Sequence, residues 1–376
     1  MAGSGLEGVV VADTRLSRID GEAGTLTYLG YSIEDLAEHA TFEDVCHLLW
    51  HGDLPDPNQR ESLRRRLASE AGLPDAVLGV IRAAPPDAHP MAVLRTAVSA
   101  LGMLDPDAED STREANLRKA IRLTAAVPAI TAATARIRAG VERVQPREDL
   151  SLAAYLLYML NGEEPGEHEV RTMDVALILH AEHGFNASTF AARVTIATLA
   201  DIYSAITSAI GTLKGPLHGG ANERVMRMLE TIGTPDNAET WIRAALDRRE
   251  KIMGFGHRVY RAMDPRAPIL RRLGAELGRS RWLDMSDRVR DVMREEMDRR
   301  GKKIYANVDF YSTSVYDKLG VPTELFTNIF ACARVAGWTA HVLEQLEDNR
   351  LIRPKARYIG PENRPVPPTH QRSQAS

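Results

Sequence analysis

The chain opens on brief apolar runs, Val9-Val10-Val11, Leu16 to Ile19 and Thr25 to Tyr28, with the turn dipeptide Asp20-Gly21 between the last two. Short runs divided by a turn predict a small N-terminal β-hairpin. From about Ser32 onward the apolar spacing lengthens from two residues to about three and a half, the period of a helix with one buried face. Thr41-Phe42-Glu43-Asp44 opens such a run to Trp50, closed by Gly52. Leu152 to Leu160 and Val170 to His183 repeat the plan and end before Gly162 and Gly184, as helices with glycine caps do. Helix follows helix, and no strand alternates with them. A doubly wound sheet or an α/β barrel therefore has nothing to be built from, and the expected fold class is all-α, mainly helical after the hairpin. The absence of a fixed-period repeat argues against a solenoid.

Two segments break the amphipathic pattern. Between Ala187 and Thr212 more than half the residues are Ala, Ser, Thr or Gly, and most of the rest are Ile, Leu or Val. A helix so poor in charge needs cover all round, either inside its own domain or from a second subunit. After Arg353 the chain turns proline-rich and polar, and residues 360–376 are expected to form a flexible tail.

Composition narrows the function classes. Apolar residues at 44% and charged residues at 26% are those of a globular protein. Aromatics at 6% leave the core to aliphatic side chains and Met. Forty-seven basic residues against fifty-one acidic ones give a net charge of -4, with no basic excess to neutralise a phosphate backbone, so nucleic acid is not an expected partner. Cys46 and Cys332 are too few for a thiolate cage and read as buried hydrophobes. The first residues lack the basic and apolar regions of an export signal, and no uninterrupted apolar stretch approaches a membrane span. A cytoplasmic protein away from membranes is expected.

Candidate chemistry gathers where histidines meet glycines. His183 precedes Gly184, His218 lies in Gly215-Pro216-Leu217-His218-Gly219-Gly220, and His257 lies in Gly254-Phe255-Gly256-His257-Arg258. Glycines beside a titratable ring let backbone and ligand approach closely, although each ring taken singly is equally a capping or core histidine. Gly254-Phe255-Gly256 lacks the third glycine of a dinucleotide loop, since position 259 is Val. His180-Ala181-Glu182-His183 is not the His-Glu-x-x-His zinc pattern, and no metal is expected. Asn186-Ala187-Ser188 reads as a helix cap. Arg266, after Asp264-Pro265, and Arg334, within an otherwise apolar helix, each require an anion, either an internal carboxylate or a bound one. Asp309, bracketed by apolar and aromatic residues, is either a helix N-cap or a base whose pKa is raised by burial.

Taken together, Gly8 to Thr14 with Ile19-Asp20-Gly21, His180 to Thr189, Gly215 to Glu223, Gly254 to Arg266 and Asn307 to Ser312 resemble the citrate synthase family, with its signatures in family order. The short bacterial and archaeal form is the better likeness. The resemblance implies a large helical domain of residues 1–219 and 325–376, a small inserted domain of residues 220–324, and a homodimer. It implies that His218 bonds the thioester carbonyl, Asp309 removes a methyl proton from acetyl-CoA, and His257 polarises the ketone of oxaloacetate. His183, Arg266 and Arg334 would bind oxaloacetate, and Arg353 would reach the neighbouring subunit's site. Arg261, with Lys302 and Lys303, would meet CoA phosphates. No cofactor is implied beyond the acetyl-CoA co-substrate, and the place of such a reaction is the tricarboxylic acid cycle. A 2-methylcitrate synthase using propionyl-CoA is the nearest rival. A histidine-based metallohydrolase and a non-catalytic helical dimer are rivals of other classes. Two positions depart from the family's pattern: Thr313, where Gly is frequent, and Leu29, where Arg is frequent.

Overall fold

A computed structural model describes residues 4–6, 8–145, 147–366 and 368. The opening forms an antiparallel sheet of three strands, β1 (Ser17–Asp20), β2 (Thr25–Tyr28) and β3 (Tyr31–Ser32), with Ser17 opposite Tyr28 and Asp20 opposite Thr25. The expected hairpin is thus present, and a third strand joins it through a two-residue turn. Leu29 and Gly30 both sit at positive φ, 47° and 92°, the twist that a tight antiparallel turn demands. Val9 to Val11 form no strand; all three are exposed, and Val9 and Val11 line cavity walls.

Sixteen α-helices follow among the described residues. The helix Phe42–His51 starts at a capping box, in which the Thr41 hydroxyl accepts from the Asp44 amide and the Asp44 carboxylate from the Thr41 amide. It ends on Gly52 in the left-handed conformation, as Leu152–Asn161 ends on Gly162. The third expected helix differs. It begins earlier, at Glu167, because the Glu169 carboxylate caps the Gly166 amide, and it stops at Ala181. The Tyr28 hydroxyl causes the early end. It lies 3.1 Å from the Ile178 carbonyl and accepts from the Glu182 amide at 3.2 Å, the two groups that would otherwise have bonded each other.

The small-residue segment is two helices, Ala187–Ile196 and Ile202–Leu213, not one. Leu199 at φ 64° breaks the chain, and Asp201 caps the second helix by accepting from the Ser204 amide at 2.8 Å. The pair packs together and onto Phe326–Glu347, and Ile202–Leu213 also meets Pro90–Met103. There Gly102 lies so close that a Cβ would stand 2.7 Å from the Tyr203 Cβ.

Phe326–Glu347 is the hub of the molecule. Almost every one of its residues is buried, with Trp338 and Arg334 the largest fully enclosed side chains, and it touches seven other α-helices. The five helices between Ala221 and Lys318 pack chiefly on one another, while Arg266–Glu276 also meets Glu167–Ala181. Cys46 and Cys332 are buried and free. Residues 351–366 form neither helix nor strand, and of the expected tail only 360–366 and 368 are among the described residues. Among the described residues no helix is long and apolar enough to cross a membrane.

Candidate active site

A cavity of about 720 Å³ opens where several distant parts of the chain converge. His183 follows the end of Glu167–Ala181. His218 comes from the loop after Leu213 and His257 from the loop before Arg266. Arg266 and Asp309 start two helices, and Arg334 leans out of the central helix. All six line this one cavity, although they span more than 150 residues of sequence.

The arginines are held differently. Arg266 is buried and forked onto Asp264, Nε to Oδ1 at 2.9 Å and Nη2 to Oδ2 at 2.8 Å. Asp264 also accepts from the Val308 amide at 3.2 Å, which fixes the helix carrying Asp309. Arg334, only 1% exposed, donates Nε to the His180 carbonyl at 2.6 Å and lies over the Phe330 ring. Burial lowers its pKa to about 10. Its two terminal nitrogens remain for an anion, whereas Arg266 keeps chiefly Nη1. His183 meets the Tyr260 hydroxyl at 3.3 Å and sits edge-on to the His257 ring. Burial, then the charge of Arg266 and the neighbouring His257, hold its pKa well below the usual histidine value.

Hydrogen bonds dictate the tautomers of the other two histidines. The backbone amides of Val259 and Tyr260 both donate to His257 Nδ1, at 3.0 and 3.1 Å. Nδ1 must then carry a lone pair, and the ring proton sits on Nε2. The Ser188 amide donates to His218 Nε2 at 3.3 Å, so this ring carries its proton on Nδ1. The Ser188 hydroxyl accepts from the Trp338 indole at 3.1 Å and lies 2.8 Å from both the same nitrogen and Asn186 Oδ1, the two acceptors open to its one proton. Burial pushes both rings down to a pKa of about 4, with Arg334 contributing at His218 and Arg266 at His257. Near neutral pH both are uncharged, each with one N–H to donate.

Asp309 is not an N-cap. Asn307 caps this helix, its Oδ1 accepting from the Asp309 amide at 3.1 Å, and Asp309 sits in the first turn. Burial raises its pKa to about 6; the Asp264 charge adds to the effect, while those of Arg266 and Arg334 oppose it. Thr313 leaves the helix undistorted, its hydroxyl bonding the Asp309 and Asn222 carbonyls at 3.0 Å each.

The remaining candidates lie elsewhere in the single chain. Arg261 and Lys303 line an adjoining cleft of about 550 Å³ that shares Gly256 and His257 with the first cavity. Arg261 is paired there with Glu22 at 2.9 Å, both well exposed. Lys302 lines neither. Arg353 lines a third cavity of about 1060 Å³ beside Arg15 and Arg193. Sequence reasoning passed over Asp264, Tyr260, Ser188 and Trp338. Asp264-Pro265-Arg266 did carry a signal, because a carboxylate two residues before a buried guanidinium is its nearest counterion. Ser188 and Trp338 gave none.

His180 donates Nδ1–H to the Ala176 carbonyl at 2.7 Å and stays in the core. Among the described residues no three His, Cys, Asp or Glu side chains are grouped as metal ligands would be.

Comparisons with known proteins point to one family. The family model described as "Citrate synthase, C-terminal domain" matches residues 5–355. The curated citrate synthase 2 of Bacillus subtilis is 53% identical over 374 residues, covering 98% of this chain and 99% of its own. The 2-methylcitrate synthase of Shewanella oneidensis is 44% identical over 377 residues, covering 99% and 98%. A solved ternary complex of carboxymethyl coenzyme A and oxaloacetate with the citrate synthase of Thermoplasma acidophilum has a TM-score of 0.92 at 34% identity, covering 98% of each chain. Fold, site and kinship together define an all-α acyltransferase. The chain belongs to the citrate synthase family.

Proposed function

We propose that this chain condenses acetyl-CoA with oxaloacetate and water to give citrate and CoA, and that six cavity residues carry the reaction. The observation that carries the reading is the meeting of Asp309, His218 and His257 on one cavity with His183, Arg266 and Arg334. Asp309 is the base that takes a methyl proton from the thioester. A thioester α-carbon is about fifteen pKa units weaker as an acid than an ordinary carboxylic acid, an uphill step of about 20 kcal/mol. Raising Asp309 to about 6 shortens that climb by about 3 kcal/mol. The rest must come from stabilising the enol. His218, neutral and with its proton on Nδ1, donates to the thioester oxygen as charge develops there.

His257 presents Nε2–H to the ketone oxygen of oxaloacetate and draws off charge as the carbon–carbon bond forms. Arg334, Arg266 and His183 hold the two carboxylates, with planar guanidinium forks suited to them. Citryl-CoA then loses CoA to water. Residues 1–219 and 325–376 act as the large domain and 220–324 as the small one, and their closure keeps water from the thioester until the bond has formed. Two copies pair, and Arg353 completes the partner's site. The partly open, small-residue faces of Ala187–Ile196 and Ile202–Leu213 support that pairing. Arg261, with Lys302 and Lys303, receives the CoA phosphates. No further cofactor enters the reaction, and the cytoplasm is its setting.

The acyl donor separates this reading from its nearest rival, since one methylene is worth about 1 to 3 kcal/mol in a pocket. The expected kcat/KM for acetyl-CoA exceeds that for propionyl-CoA by about 10-fold or more, followed by release of the CoA thiol with oxaloacetate. A preference for propionyl-CoA reassigns the chain to 2-methylcitrate synthesis.

A further inference from the structure

Behind His183 lies a buried polar chain that the condensation itself does not use. Glu182 ends the preceding helix in extended conformation, φ -143°, and its carboxylate is fully enclosed. Oε1 accepts from the Ser17 hydroxyl at 3.0 Å, from His341 Nε2 at 3.0 Å and from the Gly184 amide. Oε2 has no hydrogen-bond partner among the described residues. His341 is equally enclosed, two turns beyond Arg334 on the central helix. Its Nδ1 faces Arg193 Nη1 at 2.9 Å. A guanidinium only donates, so Nδ1 accepts and the ring proton is on Nε2, directed at Glu182. Arg193 continues the chain to Glu344 Oε2 at 2.6 Å and to Gln345 Oε1 at 3.0 Å. Glu344 Oε1 in turn accepts from the Arg15 amide at 2.9 Å.

Glu182 and Glu344 only accept and Arg193 only donates, so the His341 ring between them has a single solution. Burial would raise the Glu182 pKa, but the hydrogen bond from His341 and the charge of Arg334 hold it below the usual carboxylate value. The anion bonds the Gly184 amide, one peptide beyond His183, at a residue with φ 58°. The turn carrying His183 is thereby tied to the central helix that carries Arg334. We infer that Glu182 and His341 are positioning residues, which set the His183–Gly184 turn against Arg334 and so fix the pocket for a dicarboxylate. The inference rests on the proposed oxaloacetate site. It concerns neither substrate directly, since neither side chain lines the cavity.

The test compares His341→Leu with His341→Gln, whose amide nitrogen takes the place of Nε2 and can still donate to Glu182. In the leucine variant the oxaloacetate KM is expected to rise about 10-fold or more while that of acetyl-CoA stays within about 2-fold. The glutamine variant should restore most of that loss. Independently of turnover, the ring resonances of His183 in unliganded protein, assigned by their absence in His183→Asn, should shift in His341→Leu. Unshifted His183 resonances, or equal rises in both KM values, would overturn the inference. Should His341→Leu not fold, Glu182→Gln is read by the same two criteria. Wild-type protein unable to condense oxaloacetate with either acyl donor would sink the proposed function, while the His183 resonances would still decide the positioning.

Discussion

Asp309 carries a conflict that can be measured. In the folded protein its pKa is about 6, against 3.8 for an unperturbed aspartate. Between those values the native state binds the proton more tightly than the unfolded chain does, so stability falls as pH rises through that window. At neutral pH the buried anion is therefore a cost. Asp309→Asn should raise unfolding stability by about 1 to 3 kcal/mol in denaturant titrations. The same change should lower condensation by about a thousand-fold or more, because Asp309 is the only carboxylate among the described residues that line the cavity. In the native protein kcat/KM for acetyl-CoA should fall on the acid side with an apparent pKa near 6, since the base must be ionised to act. His218 and His257, at about 4, leave that limb to Asp309. An unchanged rate in the asparagine variant would remove Asp309 from the chemistry. Of all this the sequence supplied the residue and its apolar neighbours. It could not say whether Asp309 or Asn307 would cap the helix.

Among the elements, the contact of the central helix with the end of Glu167–Ala181 is the tightest point behind the site. A Cβ on Gly337 would lie 2.2 Å from the Ala181 carbonyl oxygen and 2.6 Å from Glu182 Oε2. Both are held in place, the first by backbone and the second by the chain to His341. Gly337→Ala should therefore destabilise the protein by about 1 to 3 kcal/mol, the usual cost of overpacking, seen as a lower denaturant midpoint. A midpoint equal to that of the native protein would mean that the helices part without cost. Helix ends were legible wherever the signal was local: Thr41 with Asp44 and Gly52 named one helix, and Gly162 another. The end at Ala181 was not, because a tyrosine 150 residues away makes it. The break at Leu199 was hidden for a different reason. Its signal, Leu199-Ala200-Asp201, contains neither glycine nor proline, and a non-glycine residue at positive φ leaves no mark in composition.

For the whole molecule, the proposed dimer with Arg353 shared between subunits has a direct consequence. Arg353→Ala and Asp309→Asn proteins should each be nearly inactive, yet subunit exchange between them should recover about a quarter of native activity. Half of the random dimers would be mixed, and each would hold one intact site of two. No recovery, with exchange confirmed by sedimentation or mass, would place Arg353 outside the partner's site.

Periodicity, caps and the resemblance together determined an all-α chain with a short hairpin, and they singled out the residues proposed for the site. These are properties of neighbours in sequence, where a side chain and the amide it caps are three or four residues apart. The tertiary structure alone decided which nitrogen of each histidine bears the proton and why Asp309 is hard to ionise. Those outcomes depend on groups such as Ser188 and His218, or Glu182 and His341, that approach within 3.5 Å only after the helices pack. At that range and out of water, hydrogen-bond direction and desolvation outweigh any local preference.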